Sequence, residues 1–173
     1  MRRLILALTA GALFVGMVAG PVAAKSVVPG KPGVQTVYDI AASNPDFSTL
    51  TALLDLTGLD AAVKQTDSKL TVFAPTNDAF AKLPAETVAY LVSPAGRDTL
   101  VDILLYHVTD GRRFSNSVFG KNDKTIEMLN GGTITTHRDL SITDGAGQTI
   151  HPVLANVNAS NGVIHAIDTV LLP

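Results

Sequence analysis

Four histidines, His107, His137, His151 and His165, together with Asp168, are the side chains of this 173-residue sequence whose types suggest chemistry. Histidine beside a carboxylate can move protons, and three or four such ligands converging can hold a divalent metal. His165 and Asp168 lie in Asn161–Pro173, a run of aliphatic and β-branched residues that reads as a strand. Alternation puts Val163, His165, Ile167, Thr169 and Leu171 on one face and Ile164, Ala166, Asp168, Val170 and Leu172 on the other. The two ionisable groups therefore point apart and cannot act as a local pair. Both faces are mainly apolar, so the strand is expected to be covered on both sides. A carboxylate buried without hydrogen bonds costs roughly several kcal/mol, so Asp168 must find donors or sit at a solvated strand end. The histidines have no metal-ligand spacing, and no Gly-x-Ser-x-Gly elbow, phosphate loop, His-Glu-x-x-His or dinucleotide glycine fingerprint occurs. A noncatalytic protein is expected, with no catalytic residue, no cofactor and no metal.

The elements that must position these residues are bounded by composition. Arg2 and Arg3 precede an apolar run from Leu4 to Val18, and small residues follow at Ala23 and Ala24, which reads as a secretory signal peptide over residues 1–24. Lys25–Gly33, rich in proline and glycine, reads as a flexible leader, and one domain over 34–173 follows. No cysteine is available for a disulfide, a lipid attachment or a thiolate metal site. Of the 13 basic residues, removal of Arg2 and Arg3 leaves 11 against 15 acidic, a formal charge of −4. That charge excludes nucleic acid as an expected partner. A secreted or periplasmic protein is expected, with no stable membrane span once the signal is removed. A domain of this size buries roughly 70% of its unfolded surface, enough to fold without staples.

Within the domain, Asn44-Pro45 offers a cap with proline at the first helical position, and Phe47, Leu50 and Leu54 recur at helical spacing until Gly58. Leu59–Val63 adds a turn or two. Leu70–Ala74 reads as a strand ended by Pro75, after which Thr76, Asn77 or Asp78 caps a helical turn containing Ala79 and Phe80. Ser93-Pro94 repeats the cap-plus-proline signal before a core helix carrying Leu100, Val101, Leu104, Leu105 and Val108. From Thr125 the period changes to two. Thr125–Leu129 and Thr133–Thr136 flank the turn Asn130-Gly131-Gly132, and Asp144-Gly145 precedes a strand over Thr149–Val157. Helices crowd the first half and strands the second, so the class is α+β, with the early strand at Leu70 paired far along the chain.

Three segments, Thr71–Phe80, Leu104-Leu105-Tyr106-His107-Val108 and Asn161–Pro173, resemble in order and spacing the two boxes and the tyrosine-histidine motif of the fasciclin domain family. The resemblance spans Val34–Pro173. It implies a wedge of mostly antiparallel strands packed against several helices. It also implies an extracellular adhesion or interaction module, and some microbial and algal relatives bind carotenoids.

Tyr106 and His107 are candidate partner-binding residues, because in animal relatives this motif is linked to integrin-mediated adhesion. On the residues alone, His107 near a helix end is expected to serve structure, charged against the helix dipole or neutral and hydrogen-bonded. Arg112, Arg113 and Phe114 complete the candidate set. The stretch Gly111–Gly120 reads either as a loop with Phe114 and Phe119 packed inward and both arginines solvated, or as an exposed contact surface. Thr76, Asn77, Asp78, His165 and Asp168 are assigned structural polar roles. The expected function is an exported noncatalytic adhesion or interaction module binding a cell-surface or matrix protein or glycan. The alternative is a carrier of an apolar small molecule such as a carotenoid.

Overall fold

The structure, a computed structural model, describes residues 35–173; the signal peptide and the leader assigned from sequence lie outside the described residues. Helix α1 (Val37–Ser43) opens on a capping box: Thr36 Oγ1 accepts the Asp39 N–H at 3.2 Å and the Asp39 carboxylate accepts the Thr36 N–H at 2.9 Å. Sequence reading did not anticipate this helix. Asn44 does cap, accepting the Asp46 N–H at 3.0 Å, but it opens a single 3₁₀ turn, Pro45–Phe47. Helix α2 follows over Ser48–Thr57 and closes at Gly58, whose φ of +74° suits glycine. After α3 (Asp60–Lys64) come strand β1 (Leu70–Pro75) and helices α4 (Asn77–Ala81), α5 (Ala85–Val92) and α6 (Arg97–Tyr106).

Two expected boundaries in this region move. Ser93 closes α5, with Oγ donating to the Tyr90 carbonyl at 2.6 Å and accepting the Gly96 N–H at 3.2 Å, so α6 begins only at Arg97. Val108 does not extend α6. It opens β2 (Val108–Asp110), pairing with Val72, because an apolar residue at that spacing satisfies the strand period as well as the helical one.

The remaining elements are α7 (Ser115–Val118), β3 (Lys124–Glu127), β4 (Thr133–Thr136), β5 (Ile142–Thr143), β6 (Thr149–Ile150), β7 (Pro152–Ala159) and β8 (Gly162–Ile167). They form two four-stranded sheets, in the orders β2-β1-β8-β7 and β3-β4-β5-β6. Every pairing is antiparallel except β1 with β8, in the register Leu70 to Gly162 through Pro75 to Ile167. The α+β class and the mostly antiparallel wedge against helices are as expected.

The strand expected over Thr149–Val157 is split between the sheets, β6 in one and β7 in the other, with His151 as the crossing point and Pro152, which has no N–H to donate, starting an edge strand. The terminal strand is also shorter than expected. It stops at Ile167 because its parallel partner β1 ends at Pro75 and turns into α4.

Alternation along β1 and β8 divides the core. Val72, Ala74, Ile164 and Ala166 face the cluster built with α1, α2 and α6, including Phe47, Leu50, Leu54, Leu100 and Leu104. Phe73, Ile167 and Leu171 face a second cluster with Tyr106, Val118, Phe119, Ile126, Ile134, Ile142 and Ile150. The central strands are thus covered on both sides, as the composition of Asn161–Ile167 required.

Candidate functional site: a buried tyrosine-histidine junction and its rim

Tyr106 and His107 are consecutive at the end of α6, and both are buried, 0% and 2% exposed. This corrects the expectation that they present themselves to a partner: they join the parts of the core. The Tyr106 hydroxyl donates to the Thr133 carbonyl at 2.6 Å and accepts the Gly145 N–H at 2.7 Å, tying α6 to the start of β4 and to the β5–β6 turn of the second sheet. Its ring lies so close to Gly132 that a Cβ there would come within 2.6 Å of Cε2. Burial pushes the phenol pKa up, so the hydroxyl stays a donor.

His107 sits where α6 gives way to β2. Its Nδ1 lies 2.7 Å from the Ile103 carbonyl and its Nε2 accepts the Leu171 N–H at 3.0 Å. Because an amide can only donate, Nε2 must be unprotonated and Nδ1 carries the hydrogen. Desolvation pushes the pKa down to about 4, against smaller opposing effects of the Ile103 carbonyl and the Asp144 charge. The ring is therefore neutral at pH 7. Of the two structural roles open from sequence, the neutral hydrogen-bonded one holds and the charged dipole contact does not.

His165, fully buried, has the other tautomer. Its Nε2 lies 2.9 Å from the Arg113 carbonyl and its Nδ1 accepts the Asn156 N–H at 3.4 Å. Its ring stacks on Phe73 and meets the edge of Phe119. Burial lowers its pKa as well. The two imidazoles have separate partners; Phe73 lies between them, donating its N–H to the His107 carbonyl at 2.8 Å while its ring stacks on His165.

Through these bonds the Gly111–Gly120 stretch becomes a fixed rim along β7. Arg112 is not merely solvated: its guanidinium donates to the carbonyls of Ala159 and Ser160, the latter at 3.0 Å. The Arg113 N–H donates to Thr71 Oγ1 at 2.8 Å, and Ser115 N–H donates to the Asn156 carboxamide oxygen at 2.6 Å. Phe119 packs inward as expected, but Phe114 is 41% exposed, because its neighbours' backbone bonds turn the chain outward before α7 begins. Asn156 has a positive φ of 62° inside an irregular part of the β7–β8 ladder. Beside it Val153 and Leu154 are 63% and 51% exposed.

Of the remaining polar positions, Thr76, Asn77 and Asp168 have structural partners. Thr76 caps α4, accepting the Ala79 N–H at 3.4 Å. Asn77 does more than begin a helix. Its side-chain oxygen accepts the Thr49 N–H at 3.1 Å and its amide donates to the Pro45 carbonyl at 2.8 Å, so it caps α2, whose own leading residue Phe47 offers no side-chain acceptor. Asp78 is exposed in the first turn of α4. Asp168, half-exposed just past the end of β8, meets both options open from sequence, a solvated strand end and donors of its own. It accepts the His151 N–H at 3.2 Å and pairs with Lys82 Nζ at 3.2 Å.

Sequence reading missed Asn161 and Asp144. Asn161 is buried, with Oδ1 accepting the Val37 N–H and Nδ2 donating to the Val63 and Gln65 carbonyls, each at 2.8 Å. Asp144, read only as a turn residue, is buried and accepts from Gln148 N at 2.8 Å, Gln148 Nε2 at 2.9 Å and Leu172 N at 3.0 Å. An asparagine directly before an apolar strand was the available signal for the first; nothing local marked the second.

A narrow apolar cavity between α1, α2 and the first sheet, lined by Val37, Ala41, Leu54, Val63 and Ile164 with His107 at one side, has room of only about 20 Å³. Among the described residues no group of three or more His, Cys, Asp or Glu is placed to hold a metal ion, and no helix is long and apolar enough to cross a membrane.

These features define a small α+β scaffold whose buried polar residues serve as joints. The fasciclin domain family model matches residues 45–173, and the chain belongs to this family. It is 41% identical over 140 residues to protein sll1483 of Synechocystis, covering 80% of this chain and 73% of that one. It is 36% identical to immunogenic protein MPB70 and 37% identical to cell surface glycolipoprotein MPB83, both of Mycobacterium bovis, spanning 77% and 79% of this chain but 66% and 60% of theirs. The fold matches a FAS1 domain pair from the insect cell adhesion molecule fasciclin I, with a TM-score of 0.65 at 17% identity, over 80% of this chain and 51% of that one.

Proposed function

We propose that this chain is an exported, noncatalytic interaction module that binds a cell-surface or matrix protein or glycan at the β7 edge of its first sheet. The observation that carries the reading is the pairing of exposed apolar side chains, Phe114, Val153 and Leu154, with a backbone held in place by Arg112, Asn156 and His165. An edge strand that exposes apolar residues invites association, and a contact surface already ordered loses little entropy on binding. The bacterial relatives named for the cell surface or for immunogenicity agree with exposure outside the cytoplasm. Arginine and phenylalanine are also among the residue types enriched at interfaces.

The carrier reading has less in its favour. A carotenoid needs far more than the roughly 20 and 40 Å³ of two interior apolar cavities, so it would have to part the helices or lie against exposed aliphatic surface. The experiment is a binding isotherm of purified domain to envelope and extracellular-matrix fractions, with Phe114→Ala and Leu154→Ala compared with the unmodified protein. Saturable binding weakened by both substitutions supports the reading. Absence of saturable binding to any fraction, or binding indifferent to both, refutes it.

A further inference from the structure

Asp168–Pro173, beyond the end of β8, leaves the sheet but stays attached to the core. Val170 and Leu171 are buried, one in each apolar cluster, so the segment closes both. Its attachment is unusual in one respect: the two amides at its centre donate to titratable side chains, Leu171 N–H to His107 Nε2 at 3.0 Å and Leu172 N–H to Asp144 Oδ2 at 3.0 Å. A protonated imidazole has no acceptor at all, so the Leu171 amide keeps its partner only while His107 Nε2 carries no proton.

We infer that Asp168–Pro173 is an acid-sensitive latch, which opens away from His107 more readily in mild acid than at neutral pH while β1 and β8 remain paired. No ladder bond ties the centre of the segment to a strand; besides the two amides, its backbone contacts include Asp168 N–H to the His151 carbonyl at 3.2 Å and Ala146 N–H to the Leu172 carbonyl at 3.3 Å. β8, by contrast, is paired with β1 at every residue and with β7 at all but His165. The charged and titratable groups around His107 are few. Asp144 approaches from the β5–β6 turn, Tyr106 precedes it on α6, and Tyr38 on α1 lines the same cavity with its hydroxyl bonded to Asp55 and its ring beneath Lys64. Asp144 favours the imidazolium, but desolvation outweighs it, so the proton enters only as the latch opens.

The magnitude follows from linkage. If opening returns His107 from about 4 to its ordinary value near 6.5, the opening equilibrium shifts about 20-fold towards the open form between pH 7 and pH 5. Amide hydrogen exchange of the whole domain, with protection factors corrected for intrinsic rates, tests this at a series of pH values and low urea concentrations. Leu171 and Leu172 are expected to exchange by a local opening insensitive to low urea, with protection falling about 20-fold from pH 7 to 5, while Ile164 and Ala166 exchange only by urea-sensitive global unfolding. His107→Gln should flatten the pH dependence at Leu171. Two results overturn the inference: Leu171 and Leu172 exchanging with the same urea dependence and opening free energy as Ile164 and Ala166 at every pH, or a local opening whose protection does not change with pH. The unmodified protein alone decides between these outcomes, whether or not the variant folds.

Discussion

Removing one oxygen from the core tests the role assigned to the tyrosine-histidine motif. Tyr106→Phe leaves the ring packed against Gly132 and creates almost no cavity, but it deprives the Gly145 N–H of its acceptor at 2.7 Å and the Thr133 carbonyl of a donor at 2.6 Å. Thr133 and Gly145 are themselves exposed, so water can take up the freed backbone groups and the loss is that of two hydrogen bonds at about 0.5–1.5 kcal/mol each, about 1–3 kcal/mol together. A domain of this kind has roughly 5–15 kcal/mol in total. With a urea slope of about 2 kcal/mol per molar, the unfolding midpoint falls by roughly 0.5–1.5 M while the slope stays constant. Tyr90→Phe is the matched control, since Tyr90 is exposed and its hydroxyl lies 3.5 Å from the Ala95 carbonyl; its effect should stay within about 0.5 kcal/mol. Equilibrium urea denaturation followed by far-ultraviolet circular dichroism measures both. Equal midpoints for the two variants would refute the view that Tyr106 is a joint between α6 and the second sheet.

Other consequences are equally open to measurement. Asn77→Ala removes the acceptor at the start of α2 and should cost about 1–2 kcal/mol in chemical denaturation, whereas Asp78→Ala, exposed on the next residue, should change little. Gly162→Ala puts a Cβ into the Leu70 carbonyl oxygen and 3.0 Å from Val37 Cγ2, so it should destabilise by roughly 3 kcal/mol or more, read as a lowered thermal midpoint. Because burial lowers the folded-state pKa of His107 to about 4, the unfolded chain binds the extra proton between about pH 6.5 and 4. Stability is therefore full above that window and declines as pH falls through it, by roughly 2 kcal/mol between pH 7 and 5. His165 shifts in the same direction, and denaturation midpoints across this range should be steeper for the unmodified protein than for His107→Gln.

Much of this organisation was legible because local signals agreed with the tertiary ones. Leu70–Pro75, Thr76 as a helix cap, Gly58 as a helix stop and the hairpin at Asn130-Gly131-Gly132 all came from residue types with narrow backbone preferences. The failures share another physical cause. Ser93 reads as a start signal and acts as a stop, since its hydroxyl satisfies a carbonyl of the preceding helix as readily as an amide of the next. Thr149–Val157 reads as one strand because period two is the same in either sheet, and nothing local says that the chain changes partners at His151. Phe114 and Phe119 are alike in sequence, and only the bonds of Arg113 and Ser115 to Thr71 and Asn156 turn one out and the other in.

The sequence by itself determined that the apolar strand through Gly162–Ile167 is two-faced and that the elements follow an α+β order, because each is set by side-chain period and local backbone preference. Only the tertiary structure decided that Tyr106 and His107 are interior joints, that Asn77 caps a helix almost thirty residues away, and that the Leu171 amide selects the tautomer of His107. Those outcomes depend on which distant donor or acceptor arrives beside a side chain. That is fixed when the sheets and helices pack, since a buried polar atom must take whatever partner the packing brings within reach.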